Sequence, residues 1–290
     1  MHNSTFVPGS ITAFFAVQDG PSFRGKGSVG ASICLSDGVS TTVHARSASH
    51  TSFSHRTNGV ECSLPVGDHV CQRLLAHLCG PLNVSVTHDT SLPIGAGYGV
   101  SGATALGTAR CLTPLCNDPP DPLTVALDAE VRTGGGYGDV IAQHEGGVCI
   151  RTRPCSTTGI IPIDAHGLNV VSVSFGPLDT GAVLSDDALI RRISSVGSQS
   201  LAALTDSPSV ECLMSCASHF TRRTGMATER VNKAIRAIDH THDLPGAMVM
   251  LGDGAFTLSD EEGLEPLIEE LRPLGGALLV SRIAEVVPCQ

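Results

Sequence analysis

Apolar positions in this chain fall into short alternating runs and helical stripes separated by glycine- and proline-rich breaks, a pattern that predicts mixed strands and helices throughout. Residues 11–17 and 29–35 are apolar and β-prone with a Gly/Ser-rich loop between them, and read as a hairpin or adjacent strands. Residues 41–55 are rich in Ser, Thr and His and read as a strand with an exposed face. Asp68 is predicted to cap a helix whose Val70, Leu74, Leu75 and Leu78 share one face and which Gly80-Pro81 ends. Leu82, Val84 and Val86 alternate as a strand. A glycine loop, a helix of small residues to about Leu112, a break at 117–122, a helix over 123–131, a second glycine loop at 133–138 and a strand over 147–153 complete the first half.

Residues 154–168 are rich in Pro, Thr and Gly and read as a junction. Beyond it come a strand at 169–175, helices near 185–204, 209–221 and 228–238, and strands at 247–251 and 277–283 flanking a helix near 260–271. No internal repeat is visible. Mixed elements on both sides of the junction predict an α+β protein of two domains, 1–158 and 159–290.

Composition narrows the function. The 290 residues are 41% hydrophobic and 16% charged, so the chain is globular. With no tryptophan and 3% aromatics, the core must be aliphatic and no stacking platform for nucleic acid is expected. Net charge is −10 and no dense Lys/Arg run exists, which also argues against a nucleic-acid partner. Lys26 and Lys233 are the only lysines, so substrate anions must be held by arginine, backbone N–H groups or a metal. No apolar run reaches the roughly 18 residues of a membrane span, and the first residues do not read as a secretory signal; a cytoplasmic protein is expected. The eleven cysteines are scattered, form no Cys-x-x-Cys, and read as reduced structural thiols. The twelve histidines are expected at scattered surface positions.

Three glycine-rich stretches compete as phosphate grips. Gly20 to Gly27 nearly spells a P-loop, but Gly27 stands where the magnesium-binding hydroxyl belongs and a strand, not a helix, is predicted next. The second, Gly95-Ala-Gly97-Tyr-Gly99-Val-Ser101-Gly102, follows a strand and opens a helix. Glycines let backbone close around an anion, and the helix start offers unpaired N–H groups at a positive dipole end. Its alternative reading is a loop before a tightly packed helix. The third places Asp139 after a glycine turn, nine residues beyond Glu130. Phosphoryl transfer needs one carboxylate for a metal and one to orient or deprotonate the attacking hydroxyl; alternatively, Asp139 merely caps a helix.

The second and third stretches, in this order and separation, resemble the GHMP kinase superfamily, which includes galactokinase and the homoserine, mevalonate and phosphomevalonate kinases. Its phosphate loop has the form Pro-x3-Gly-Leu-Gly-Ser-Ser-Ala-Ala. Pro93, Gly97, Gly99, Ser101 and Ala103 match, while Tyr98, Val100 and Gly102 depart from it. The mevalonate kinase branch has a Gly-rich turn, an Asp, six residues and Gly-Gly, the spacing of Asp139 to Gly146-Gly147. The superfamily's C-terminal glycine motif is matched only loosely, at 246–256. Within the superfamily the likeness is to the archaeal pantoate kinases, through residues 8–15, 27–31, 92–103, 129–130, 138–143, 147–151 and 174–180.

The resemblance implies a ribosomal-S5-like N-terminal domain and a ferredoxin-like C-terminal domain with the site between them, commonly in a homodimer. It implies ATP- and Mg2+-dependent phosphorylation of the terminal hydroxyl of pantoate to 4-phosphopantoate, for coenzyme A synthesis. By the same resemblance, Pro93, Gly95, Gly97, Gly99, Ser101 and Gly102 cradle the phosphates. Ser101 and Glu130 reach the metal, Asp139 acts on the pantoate hydroxyl, and Ser28 and Arg151 hold pantoate. Two departures stand out: Leu127 occupies the place of an expected substrate-site histidine, and Ser10 stands where the family often has histidine. The rival readings are another kinase of the superfamily, acting on homoserine, mevalonate or a sugar acid, and a catalytically silent nucleotide-binding regulator on the same scaffold. The outsider is a P-loop NTPase using Lys26.

Overall fold

The computed structural model describes residues 1–20, 25–134, 138–178 and 186–285. The parts of the second glycine loop at 135–137, residues 179–180 of the last matching segment, and the predicted helix start at Ser185 lie outside them.

Strands β1 (His2–Asp19) and β2 (Lys26–Ser47) form one long antiparallel hairpin that contains both predicted strands. β2 outruns any single neighbour on its other side. Its start pairs with β6 (Val148–Arg151) and its end with β5 (Leu82–Thr90). β3 (Ser52–Thr57) runs parallel to β5, β4 (Val60–Glu61) closes one edge and β7 (Ile160–Ile163) the other, giving seven strands. The polar stretch 41–55 is therefore split between two strands. The stretch 154–168 carries β7, so the first sheet keeps the chain as far as Ile163. Lys26 lies on β2 and the chain continues as strand, so the Gly20–Gly27 stretch lacks the helix a P-loop requires.

Helices α1 (Pro65–Leu75), α2 (Val100–Leu112), α3 (Pro122–Thr133) and α4 (Asp139–Glu145) pack on this sheet and on one another. α2 is buried almost all round, which its small residues permit: a side chain at Gly107 would run into Thr41 on β2. α3 is bounded as its sequence dictates, with Asp121 accepting from the Thr124 amide at 2.9 Å, Pro122 at the first position and Gly134 in the left-handed region at the end.

The second sheet has the order β11-β8-β10-β9, formed by β8 (Asn169–Pro177), β9 (Ala247–Met248), β10 (Gly252–Ser259) and β11 (Ala277–Arg282). Helices α5 (Asp187–Asp206), α6 (Val210–Thr224), α7 (Glu229–Thr241) and α8 (Leu264–Leu271) accompany it. The predicted strand 247–251 is cut to two residues because the chain turns at 249–251, with Leu251 at φ 62°. Helix 260–271 starts late, at Leu264, because the Asp260 carboxylate accepts from the Gly263 amide at 3.0 Å and holds a turn there. One hydrophobic core runs through both halves. Phe14 and Phe15 of β1 meet Phe220 of α6 with ring centroids 6.4 and 5.9 Å apart. α5 lies so close to β1 that a side chain at Gly197 would collide with the Phe15 carbonyl.

Two expectations fail at α1. Asp68 does not cap it: the helix opens earlier, at Pro65, whose fixed φ suits a first turn. Asp68 instead sits 3.4 Å from the Nε2 of His55. His55 and His88 are not on the surface either. They are buried with rings stacked at 5.8 Å, and the Thr41 hydroxyl lies 3.0 Å from His88 Nδ1. The ten described cysteines are all free thiols, as expected.

Burial, and then the neighbouring His55 ring, push the His88 pKa down to about 4. An unfolded chain takes its proton nearer 6.5, so stability falls as pH drops from about 6.5 toward 4. At pH 5 the loss from His88 alone is about 2 kcal/mol. Urea midpoints measured between pH 7.5 and 5 should fall for the wild type and fall less for His88→Asn.

Candidate active site

The loop after β5 is shaped by glycine. Gly95, Gly97 and Gly99 hold φ of 73°, 85° and 67°, the left-handed region that side chains disfavour. Gly99 is the residue before α2, and the Ala103 amide donates to its carbonyl at 3.0 Å. The remaining amides of the first turn of α2 are free to receive an anion. The loop is fixed on both sides. Ser10 N–H donates to the Tyr98 carbonyl at 3.0 Å, and the Tyr98 hydroxyl lies 3.0 Å from Ser172 of β8. The turn before β10 packs beneath: a Cβ at Gly97 would stand 2.6 Å from the Met250 carbonyl, and one at Gly252 would collide with the Ala96 carbonyl. The loosely matched motif at 246–256 is thus a floor for the loop.

The carboxylates reach the same place from two helices. Glu130, near the end of α3, is 1% exposed, and neither carboxylate oxygen has a hydrogen-bond partner among the described residues. Burial, and then the charge of Asp139, raise its pKa well above the usual range, against the pull of the Val140 amide and Arg151. Asp139 opens α4 but does not cap it. Its Oδ1 accepts from the hydroxyls of Ser10 at 3.1 Å and Thr12 at 3.3 Å on β1. Asp139 keeps part of its surface open, yet enough protein surrounds it that desolvation raises its pKa; Arg151 and the two hydroxyls oppose the shift. Gly102 marks the meeting point. A Cβ there would stand 3.1 Å from both Glu130 Oε1 and the Asp139 side chain, and 3.0 Å from Gln143 Oε1. Ser101, beside it on the first turn of α2, is exposed.

A bulge makes β1 serve this site. The ladder with β2 slips between Pro8 and Ser10, which frees the Ser10 amide for Tyr98 and turns its hydroxyl toward α4. Arg151, at the end of β6, is 1% exposed. It donates to the Ser28 carbonyl and hydroxyl at 3.4 Å and the Ser32 hydroxyl at 3.3 Å, while its Nε has no partner among the described residues. Gly138, just before Asp139, lies so close that a side chain would strike the guanidinium. Ser28, 4% exposed, is therefore beside Arg151. Pro93 is half-buried at the loop entrance. Leu127 lines a cavity of about 610 Å3 with Ile141 and Cys155, and its neighbour Asp128 is engaged elsewhere, by His69 at 3.1 Å and Arg132 at 2.8 Å. Sequence reasoning missed Thr12, Ser32 and Gln143. Only Gln143 carried a local signal, four residues after Asp139 and so on the same helix face.

A glycine loop opening a buried helix, with two carboxylates converging on its first turn, is the architecture of a phosphotransferase, and comparison with known proteins gives the class. Residues 66–147 match the model of the GHMP kinases N terminal domain. The chain is 31% identical over 263 residues to the pantoate kinase of Methanospirillum hungatei, covering 88% of this chain and 86% of that one. It is 31% identical over 274 residues to the pantoate kinase of Thermococcus kodakarensis, covering 90% and 88%. Its structure superposes on a solved "Phosphotransferase related to CoA biosynthesis pathway" with a TM-score of 0.89 at 27% identity, covering 98% and 96% of the two chains. The chain therefore belongs to the pantoate kinase family of the GHMP kinases and is a kinase enzyme. Among the described residues no helix is long and apolar enough to cross a membrane.

Gly252→Ala forces backbone apart where the loop rests on the β10 turn, an overpacking cost of about 1–3 kcal/mol. It should lower the melting temperature and weaken nucleotide binding at least about tenfold in calorimetric titration.

Proposed function

We propose that the chain transfers the terminal phosphoryl group of ATP to the terminal hydroxyl of (R)-pantoate, giving 4-phosphopantoate on the way to coenzyme A. The observation that carries the reading is Arg151. A buried guanidinium whose hydrogen bonds go to two serines, with one nitrogen unpartnered, is costly unless an anion completes it. A substrate carboxylate on that fork, with Ser28 beside it, directs the other end of a small hydroxy acid toward Asp139. The wall at Leu127 and Ile141 is apolar and suits a branched carbon skeleton.

ATP phosphates occupy the cradle of Gly95, Gly97, Gly99, Ser101 and Gly102, with Pro93 setting its entrance. Mg2+ fits the donor set: Glu130 has two buried, unpartnered carboxylate oxygens facing Gly102, and Ser101 lies on the same turn. Glu130 and Ser101 hold the ion, with phosphate oxygens completing its shell. The ion supplies charge neutralisation on the transferred group. Asp139 orients the acceptor hydroxyl and takes its proton, with Oδ1 fixed by Ser10 and Thr12 and Oδ2 left for the substrate. The amides at the start of α2 receive the charge that develops on the phosphoryl oxygens.

ADP formation should be measured with pantoate, homoserine, mevalonate and sugar acids in turn. Pantoate is expected to be the acceptor; turnover of another compound with none on pantoate removes this reading. ATP binding without ADP formation on any acceptor favours a silent regulator. Asp139→Asn should lower kcat by about 100-fold or more with little change in the KM for ATP, and Arg151→Lys should raise the KM for pantoate by at least about tenfold.

A further inference from the structure

We propose that Gln143 is a positioning residue that ties the phosphate loop to Asp139 through Ser10, an inference that rests on the kinase reading above. Gln143 is 2% exposed, on the face of α4 that also carries Asp139. Its Nε2 donates to the Gly99 carbonyl at 2.7 Å and to the Ser10 hydroxyl at 3.2 Å. The Ser10 hydroxyl in turn lies 3.1 Å from Asp139 Oδ1. The direction of this chain is set by chemistry. A carbonyl only accepts, so the amide nitrogen must face Gly99; that nitrogen only donates, so Ser10 Oγ accepts from it and spends its own proton on Asp139.

The space is built for this amide. A Cβ at Gly99 would lie 2.5 Å from Gln143 Nε2, and one at Gly102 would lie 3.0 Å from Oε1. Gln143 therefore fills the gap between the first turn of α2, where phosphate binds, and α4, which presents the carboxylate. Three hydrogen bonds fix the separation between the phosphate anchor and the group that orients the nucleophile, and small errors in that separation are expensive in rate. Ser10 is the shared link, with no exposure of its own.

The test is a double-mutant cycle on the full chain with ATP and Mg2+, reading kcat, the KM for each substrate and the melting temperature. Ser10→Ala should lower kcat about tenfold with the KM for ATP within about twofold, because the loop keeps its hold on Gln143. Gln143→Met, similar in shape but without a donor, should lower kcat at least as far and also raise the KM for ATP. The double variant should be within about threefold of Gln143→Met alone, because the second link is already cut. Wild-type kcat in Gln143→Met overturns the proposal, as do single losses that multiply in the double variant. A purely structural glutamine would lower the melting temperature without separating kcat from KM, which also counts against it. If Gln143→Met does not fold, Ser10→Ala decides, and an unchanged kcat refutes the link. If the wild type ignores pantoate, the functional reading fails by itself, and the cycle is run on whichever acceptor is turned over.

Discussion

The constraint on which the rest of this molecule depends is the confinement of Glu130, Asp139 and Arg151 among packed backbone. Each ion withdrawn from water costs several kcal/mol, and that cost is recovered only with partners of good geometry. The protein supplies some: Ser10 and Thr12 for Asp139, Ser28 and Ser32 for Arg151. It withholds others, since Glu130 and the Nε of Arg151 have none among the described residues. The site is electrostatically incomplete in a specific way, with room for a cation on one side and an anion on the other. That incompleteness is what a ligand-free transferase site should look like, because interactions already satisfied by the protein are not available to the reacting groups.

Bringing those groups together requires backbones to approach more closely than side chains allow. Gly99 and Gly102 admit Gln143, Gly138 admits Arg151, and Gly97 and Gly252 let the two halves touch beneath the loop. The bulge at Pro8–Ser10 performs the equivalent task on β1, exchanging a ladder hydrogen bond for two contacts inside the site. The phosphate loop is therefore held by both halves, by β1 from one side and by the β10 turn and Ser172 from the other.

Much of this was legible in the sequence, and the failures have physical reasons. Periodicity located the hairpin, β5, α2 and α3, and glycine content located the loop, because these signals are local. Asp68 was read as a cap on residue type alone, whereas Pro65 opened the helix and His55 claimed the carboxylate. β7 was hidden by Pro and Gly around it, although Ile160, Ile161 and Ile163 had the apolar character to pair with β6. The roles of Ser10, Thr12 and Ser32 could not be read at all. They depend on a strand slip and on a partner more than a hundred residues away, and nothing in their immediate neighbours records either. The histidines illustrate the opposite error: a residue type common on surfaces was buried at 55 and 88 because two rings and Thr41 satisfy one another in the core.

The contact between Tyr98 and Ser172 has a practical corollary. The chain has no tryptophan and two tyrosines, and Tyr98 sits inside the phosphate loop with 1% of its surface exposed. Near-ultraviolet absorption and emission of the protein are thus dominated by very few chromophores, one of them embedded in the functional loop and fastened to the opposite half. The molecule carries its own optical gauge of whether loop and C-terminal half remain engaged, without any label having to be introduced.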